Sequence, residues 1–179
     1  MPSIVKGGGT FANDATVGMS DWISETNVQF DDNVDTFAEL LDVNNQFHSI
    51  RLVKNGVIDG NNPGVGFVTS SFYTYTFGGQ NDLWGLTLTK ADIEASNFGV
   101  VVAMQNSLET VITKYLKVTN FGFTLPADAI INGVEVNVKA RTSVADASID
   151  YVSMKVYYNA NQCWASVIDL LDTWIKKHK

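Results

Sequence analysis

The chain has 179 residues and a net charge of −7, and charged residues make up 17% of it, below the roughly 25% of an average globular protein. This length suits one domain with its own core. The diffuse negative charge disfavours nucleic-acid binding through a basic face. No apolar run is long enough to cross a membrane and no signal peptide precedes the first strand, so we expect a protein made in the cytoplasm, with no transmembrane segment.

The first 20 residues are rich in glycine and poor in charge. Gly7, Gly8 and Gly9 predict a flexible joint. Ile4 and Val5 precede this joint and could pair as a short strand with this chain or with a neighbour. We therefore predict a flexible N-terminal arm over residues 1–20, with Ile4 and Val5 in an oligomer interface.

Residues 21–159 carry the pattern of β-strands. Residues 134–139 and 149–158 alternate between apolar and polar side chains, as half-buried strands do. Residues 98–104 form a continuous apolar run, which predicts a strand covered on both faces. Asn55-Gly56 predicts a hairpin turn. Regularly spaced strands and turns favour an all-β fold, an antiparallel, jelly-roll-like sandwich.

Two segments are predicted to be helical. Thr89 followed by Asp92 three positions later is a capping-box pattern, which predicts a short helical turn over 89–95. Residues 160–179 are predicted to form an amphipathic helix, because the apolar residues of this segment recur at helical spacing. We expect this stripe to form an oligomer interface, although it could also dock on its own domain or on a membrane surface. The stripe consists of Trp164, Val167, Ile168, Leu171, Trp174 and Ile175.

The sequence contains few residues suited to catalysis. His48 and His178 are the two histidines, and neither stands in a Ser-His-Asp or Cys-His pattern. Cys163 is the single cysteine; a buried free thiol is favoured over a reactive one. We expect no enzyme activity, no cofactor and no histidine- or cysteine-based metal site.

Carboxylates gather at Asp31, Asp32 and Asp35, with Asp42 nearby. Two of them could act as a glycosidase pair, or several could bind Ca²⁺ through oxygen atoms. The spacing of a calcium-binding loop is missing, so a solvated loop is favoured. Calcium binding stays open.

Three aromatic residues are candidates for binding a sugar ring. Tyr73, Tyr75 and Trp84 fall in or near a predicted strand. Because alternate residues of a strand face opposite sides, part of this set is expected in the core. Trp22 is expected to be a core anchor.

Several phrases along the chain resemble a known domain. They are YLKVTNFGF at 115–123, LP at 125–126, INGVEV at 131–136, DLWGL at 82–86, SNFGV at 96–100, IDYV at 149–152 and VYY at 156–158. Together they resemble a β-sandwich domain of structural proteins of bacteriophages and other viruses, over about residues 22–158. That domain carries the same corner after FGF, LWG loop, NFGV strand and closing VYY strand.

The order of these phrases departs from the family pattern. In the family, the FGF and VEV strands precede the RLVKNG strand and the LWG loop, whereas here residues 51–56 and 82–85 come first. This order implies a rearranged strand connectivity, natural or engineered. The resemblance implies a virion component (capsid, decoration, neck or fibre protein) and brings no catalytic residues.

The leading hypothesis is a non-enzymatic structural subunit of a viral particle. Its partners would be copies of itself and other virion proteins. The alternative is a carbohydrate-binding, receptor-recognising sandwich that uses Tyr73, Tyr75 and Trp84. A glycosidase or lyase on the same scaffold would need two convergent carboxylates in a cleft.

Overall fold

The computed structural model describes residues 1–32, 34–40, 45–64, 66–106, 108 and 111–160. Within them lie a short 3-10 helix, Glu25–Gln29, and one α-helix, α1, Lys90–Glu94. Eleven strands make up half of the described chain. They are β1 Ser3–Gly7, β2 Thr10–Asp14, β3 Thr36–Glu39, β4 Gln46–Lys54, β5 Val57–Asp59, β6 Gly66–Phe67, β7 Tyr73–Gly78, β8 Gly99–Gln105, β9 Tyr115–Thr119, β10 Ala129–Thr142 and β11 Asp146–Ala160.

The strands form two antiparallel sheets. Sheet A has the order β1-β11-β10-β7, and β3 pairs with β11 as well. Sheet B has the order β2-β9-β8-β4-β5, and β6 pairs with β4. The predicted all-β, antiparallel two-sheet fold is confirmed.

The main core lies between the two sheets and is built from alternate residues of the long strands. Both sheets contribute branched side chains and methionines that solvent does not reach. From sheet A these are Val134, Val136, Val138, Val152, Met154 and Val156; from sheet B they are Ile50, Leu52, Val100, Val102, Met104 and Leu116.

A second apolar cluster lies on the outer face of sheet B. Val101 and Ala103 alternate with the inward-facing residues of β8, and they join Val53 and Tyr115 in this cluster. Val17 packs against it from the segment that follows β2. Strand β8 is therefore buried along its whole length, which confirms the prediction made from its continuous apolar run.

The first 20 residues differ from the flexible arm expected from the sequence. Strand β1 pairs with β11 in sheet A and β2 pairs with β9 in sheet B, so this segment belongs to the sandwich. Gly8 lies at the crossing between the sheets. A Cβ atom there would stand 2.1 Å from Cγ1 of Val118, so the glycine serves a close approach rather than a flexible joint.

Two local predictions are confirmed. Thr89 and Asp92 form both hydrogen bonds of a capping box at the start of α1. Asn55 and Gly56 both have positive φ, 53° and 80°, and they connect β4 to β5, as a two-residue hairpin requires.

No helix in the described part of the chain is long and apolar enough to span a membrane. Apart from Ala160, which is the last residue of β11, the expected helix over 160–179 lies outside the described residues, with Cys163, His178 and the apolar stripe. Asp42 also lies outside them.

Candidate assembly surface

One edge of sheet A is formed by β7, which pairs with β10 on one side and with no strand of the described residues on the other. The Gly79 N–H donates to the Val134 carbonyl at 3.1 Å. Because hydrogen-bonded and non-bonded pairs alternate along an antiparallel ladder, the backbone groups of Thr74, Thr76 and Gly78 point away from β10. These three residues are exposed. We call Tyr73–Gly78 the β7 edge.

The β7 edge carries no charged side chain, and neither does the sequence from Gly60 to Asn81 around it. Natural sheets commonly protect their edges with charges, since unpaired N–H and C=O groups recruit other strands. Four of the five other edge strands in the described part of the chain carry a charge, whereas the two-residue β6 carries none. Those charged residues are Lys6 on β1, Asp14 on β2, Glu39 on β3 and Asp59 on β5.

Aromatic packing supports the β7 edge from inside the sandwich. Phe77 is buried, and its ring meets the Phe47 ring edge-on with 5.2 Å between the ring centroids. The Tyr75 ring meets the Phe47 ring in the same way, at 5.1 Å. The Tyr75 hydroxyl accepts a hydrogen bond from the Thr69 N–H at 2.7 Å. The edge is therefore held by a packed layer, and it can present its free backbone groups in a fixed geometry.

One large aromatic side chain of the β7 edge is exposed. Tyr73 is 61% exposed. Tyr73 packs edge-on against Tyr75, with ring centroids 5.1 Å apart. The exposed ring of Tyr73 adds contact area to the uncharged strand.

The three residues proposed for sugar binding do not form one surface. Trp84 is 1% exposed, and its indole N–H donates to the Val134 carbonyl at 2.9 Å. It belongs to the core, so its ring offers no stacking face, and its inclusion in a sugar site was wrong. Tyr75 is half-buried, and only Tyr73 presents a ring to solvent. Trp22 is a core residue as expected, at 2% exposure.

Ile4 and Val5, the pair expected in an oligomer interface, lie on opposite faces of β1. Ile4 packs against the main core, whereas Val5 is 54% exposed. Their alternation along β1 turns one side chain inward and the next outward.

The acidic loop before β3 is engaged with the outer face of sheet A. Asp31 forms an ion pair with Lys139, and Asp35 pairs with Arg141 at 3.1 Å. The ring of Phe72 lies 5.5 Å from the Lys139 Nζ and 4.7 Å from the Arg141 guanidinium carbon. Among the described residues no group of three or more His, Cys, Asp or Glu could hold a metal ion.

Asp32 and His48 have local partners. A carboxylate oxygen of Asp32 accepts the Val34 N–H at 3.0 Å. The Nδ1 atom of His48 is 2.6 Å from the Gln105 side-chain oxygen. Neither contact brings a nucleophile and a base together.

Sequence reasoning missed Asp150, the one aspartate that is fully buried within the described chain. Ala147 and Ile149 face the core, and the next inward residues are Val152 and Met154. The inward positions change from odd to even numbers there, so an extra residue interrupts the strand. That change of period was the signal that could have revealed it.

Comparisons with known proteins found no matching family model, no similar curated protein and no similar solved structure.

Proposed function

We propose that this chain is a non-enzymatic structural subunit that self-associates through its sandwich surfaces. The observation that carries the proposal is the β7 edge, a fixed strand with outward backbone donors and acceptors and no charge. A strand from a second copy could add to this edge through main-chain hydrogen bonds.

The absence of charge on the β7 edge matters most for pairing between identical copies. In a twofold contact each residue meets its own counterpart or a close neighbour. A charged strand would bring like charges together in several registers, which is destabilising. Thr74, Tyr75 and Thr76 can face their own copies without such repulsion, so we take a second copy of this chain as the partner.

The biological setting of the proposal comes from the sequence resemblance. Domains of that kind build bacteriophage and viral particles, so we propose the virion as the location and other virion proteins as further partners. A jelly-roll relationship and an interface helix over 160–179 are part of the same proposal.

The proposal is tested by measuring molar mass with size-exclusion chromatography and light scattering over a range of concentrations. We expect the wild-type chain to form dimers or larger assemblies. Thr76→Pro removes an N–H that points away from β10, so it should weaken association while the ladder within sheet A survives. Thr74→Glu places a charge on the same edge and should act in the same direction.

The matched control is Thr10→Glu on β2, which places the same charge on an exposed residue of an edge in sheet B. It should leave the molar mass unchanged. Circular dichroism and thermal unfolding establish that each variant is folded. A wild-type chain that stays monomeric at the highest concentration would contradict the proposal, and so would edge variants that associate as the wild type does.

A second candidate function is glycan binding, favoured by the exposed ring of Tyr73. A flat aromatic face can stack on a sugar ring. If the chain binds a glycan in an array, Tyr73→Ala should abolish the signal, whereas Tyr157→Ala should keep it. Binding that survives Tyr73→Ala would place the glycan elsewhere.

A further inference from the structure

Asp150 is the extra residue of a β-bulge. Lys139 on β10 faces Tyr151 on β11, but the next residue, Ala140, faces Ile149, so Asp150 has no partner in the ladder. The bulge lies where the neighbour of β11 changes, because β3 pairs with residues 146–149 and β1 with residues 153–157. Bulges turn side chains out of the regular alternation, and this one directs Asp150 toward Lys139.

The carboxyl group of Asp150 is buried with few donors around it. Its side chain is fully inaccessible, and in the described chain no backbone N–H or hydroxyl donates to either oxygen. The Lys139 Nζ lies 2.7 Å from Oδ2. Buried carboxylates are normally satisfied by several donors, because an unsolvated charge is costly. Neutralising this pair would remove that cost.

Asp31 completes a group of three around the lysine. It contacts Lys139 directly, and it lies within hydrogen-bonding reach of Asp150. Its side chain is 59% exposed, which leaves it in contact with water. The ring of Phe72 lies 5.5 Å from the Lys139 Nζ and shields one side of the amine. An amine, a buried carboxyl group and a second carboxylate therefore meet at one point.

We propose that Lys139 and Asp150 become joined by an amide bond between Nζ and Cγ, formed within the folded chain with Asp31 as the proton carrier. The bond would link the two central strands of sheet A. The reaction needs no cofactor and no external reactant.

The proton balance starts from the ion pair. The pKa of Lys139 is raised, first by its hydrogen bond with Asp150 and then by that with Asp31, so the amine begins protonated. Its proton passes through Asp31 to Asp150, which leaves a neutral amine, a neutral carboxylic acid and the Asp31 carboxylate. The charges of lysine and Asp150 cancel in this step, and Asp31 ends as it began.

The nitrogen lone pair then attacks Cγ of Asp150. Asp31 takes the proton that the new N–C bond releases and gives it to the departing hydroxyl group, which leaves as water. One N–C bond forms, one C–O bond breaks, and nothing is oxidised or reduced. The proximity of the two groups on paired strands replaces the activation that amide formation normally requires.

Intact-mass spectrometry of the purified chain tests the proposal. Each Lys→Arg variant is compared with the wild type, so that processing at the N-terminus cancels. Lys139→Arg should be heavier than the wild type by the Lys-to-Arg difference plus one water. Lys114→Arg should differ by the Lys-to-Arg change alone, although Lys114 also contacts a carboxylate, 2.8 Å from Asp21.

Two further measurements separate the roles of the residues. Tryptic digestion should release residues 118–141 joined to residues 142–155 as one branched peptide. Asp31→Ala should retain the water, whereas Asp35→Ala, in the same loop, should lose it as the wild type does. A folded wild-type chain with no missing water overturns the amide bond. Loss of water in Asp31→Ala overturns the assignment of the proton carrier.

Discussion

The outer faces of the two sheets are covered by opposite kinds of contact. On sheet A, Glu135, Lys139 and Arg141 alternate with buried valines and meet polar partners. On sheet B, Val53, Val101 and Ala103 form an apolar cluster that is fully buried. One face is therefore held to its covering segment by charge pairs and the other by apolar contact.

The difference teaches where the stability of each face comes from. Exposed or half-exposed ion pairs contribute little each, a median of about 0–1 kcal/mol, and they respond to pH and salt. Burial of apolar area contributes about 25 cal/mol per Å². This contribution does not depend on the ionisation of side chains and is not screened by salt as an ion pair is. We therefore expect substitutions on the outer face of sheet B to cost far more than matched ones on sheet A.

The largest difference is expected when one charge is placed on each face. Val101→Lys places a third ammonium or guanidinium group at the buried cluster, because Val101 lies directly across from Arg51 and Lys117 on the two neighbouring strands. It should destabilise the fold by roughly 3–5 kcal/mol. Asn137→Lys places the same group on the half-exposed outer face of sheet A. That variant should stay within about 0.5 kcal/mol of the wild type.

Urea denaturation followed by fluorescence measures both variants of this pair. Equal midpoints for Val101→Lys and Asn137→Lys would show that the two faces are equally accessible to water, and the contrast between the sheets would be lost. An insoluble Val101→Lys variant can be replaced by Val101→Thr, which exchanges one buried methyl group for a hydroxyl group and should still lower the midpoint.

The contrast between the sheets was largely readable from the sequence. The strict alternation at 134–139 predicted a half-buried strand, and the apolar run at 98–104 predicted a strand covered on both sides; both are confirmed. Periodicity reports burial directly, because each side chain's face follows from its position along the strand. The capping box was predictable because it depends only on Thr89 and Asp92, which lie three residues apart in the sequence.

The predictions that failed concerned residues whose roles depend on contacts with residues far away in the sequence. Glycines at 7–9 suggested a joint, but Gly8 is needed because Val118 lies against it in the folded chain. Trp84 suggested an exposed ring, but its indole N–H bonds to the Val134 carbonyl, 50 residues away in the chain. The β7 edge was likewise not predictable, since an edge is defined by which strands end up beside it.

A smaller difference is expected from the same tyrosine substitution on both faces. The Tyr115 hydroxyl donates to the Ser49 hydroxyl at 2.9 Å in the buried cluster on sheet B. Tyr115→Phe leaves that serine with a buried hydroxyl and no donor, which should cost roughly 1–2 kcal/mol.

On sheet A, the Tyr157 hydroxyl donates to a carboxylate oxygen of Glu135 at 2.8 Å, but both residues are half-exposed. Water replaces the lost contact there, so Tyr157→Phe should cost less than about 0.5 kcal/mol. Chemical denaturation compares the two variants. A larger loss for Tyr157→Phe would reverse the ranking of the two faces.

The smallest effect is expected from Asp14, an acidic side chain that pairs with a lysine on the outer face of sheet B. It lies 3.3 Å from Lys117. Its pKa is lowered from the ordinary value of 3.8, chiefly by the hydrogen bond from the Thr16 hydroxyl. A lowered pKa means that the carboxylate stabilises the fold above the ordinary value and stops doing so as the pH falls through the lowered one. Asp14→Asn should therefore reduce stability by less than about 1 kcal/mol near neutral pH, and the difference should vanish in acid. Hydrogen exchange measures whether apolar contact alone holds the outer face of sheet B. The backbone amides of the outer cluster should stay protected from exchange in the wild type and in Asp14→Asn alike. Earlier exchange of these amides in Asp14→Asn would show that the ion pair holds this face as well.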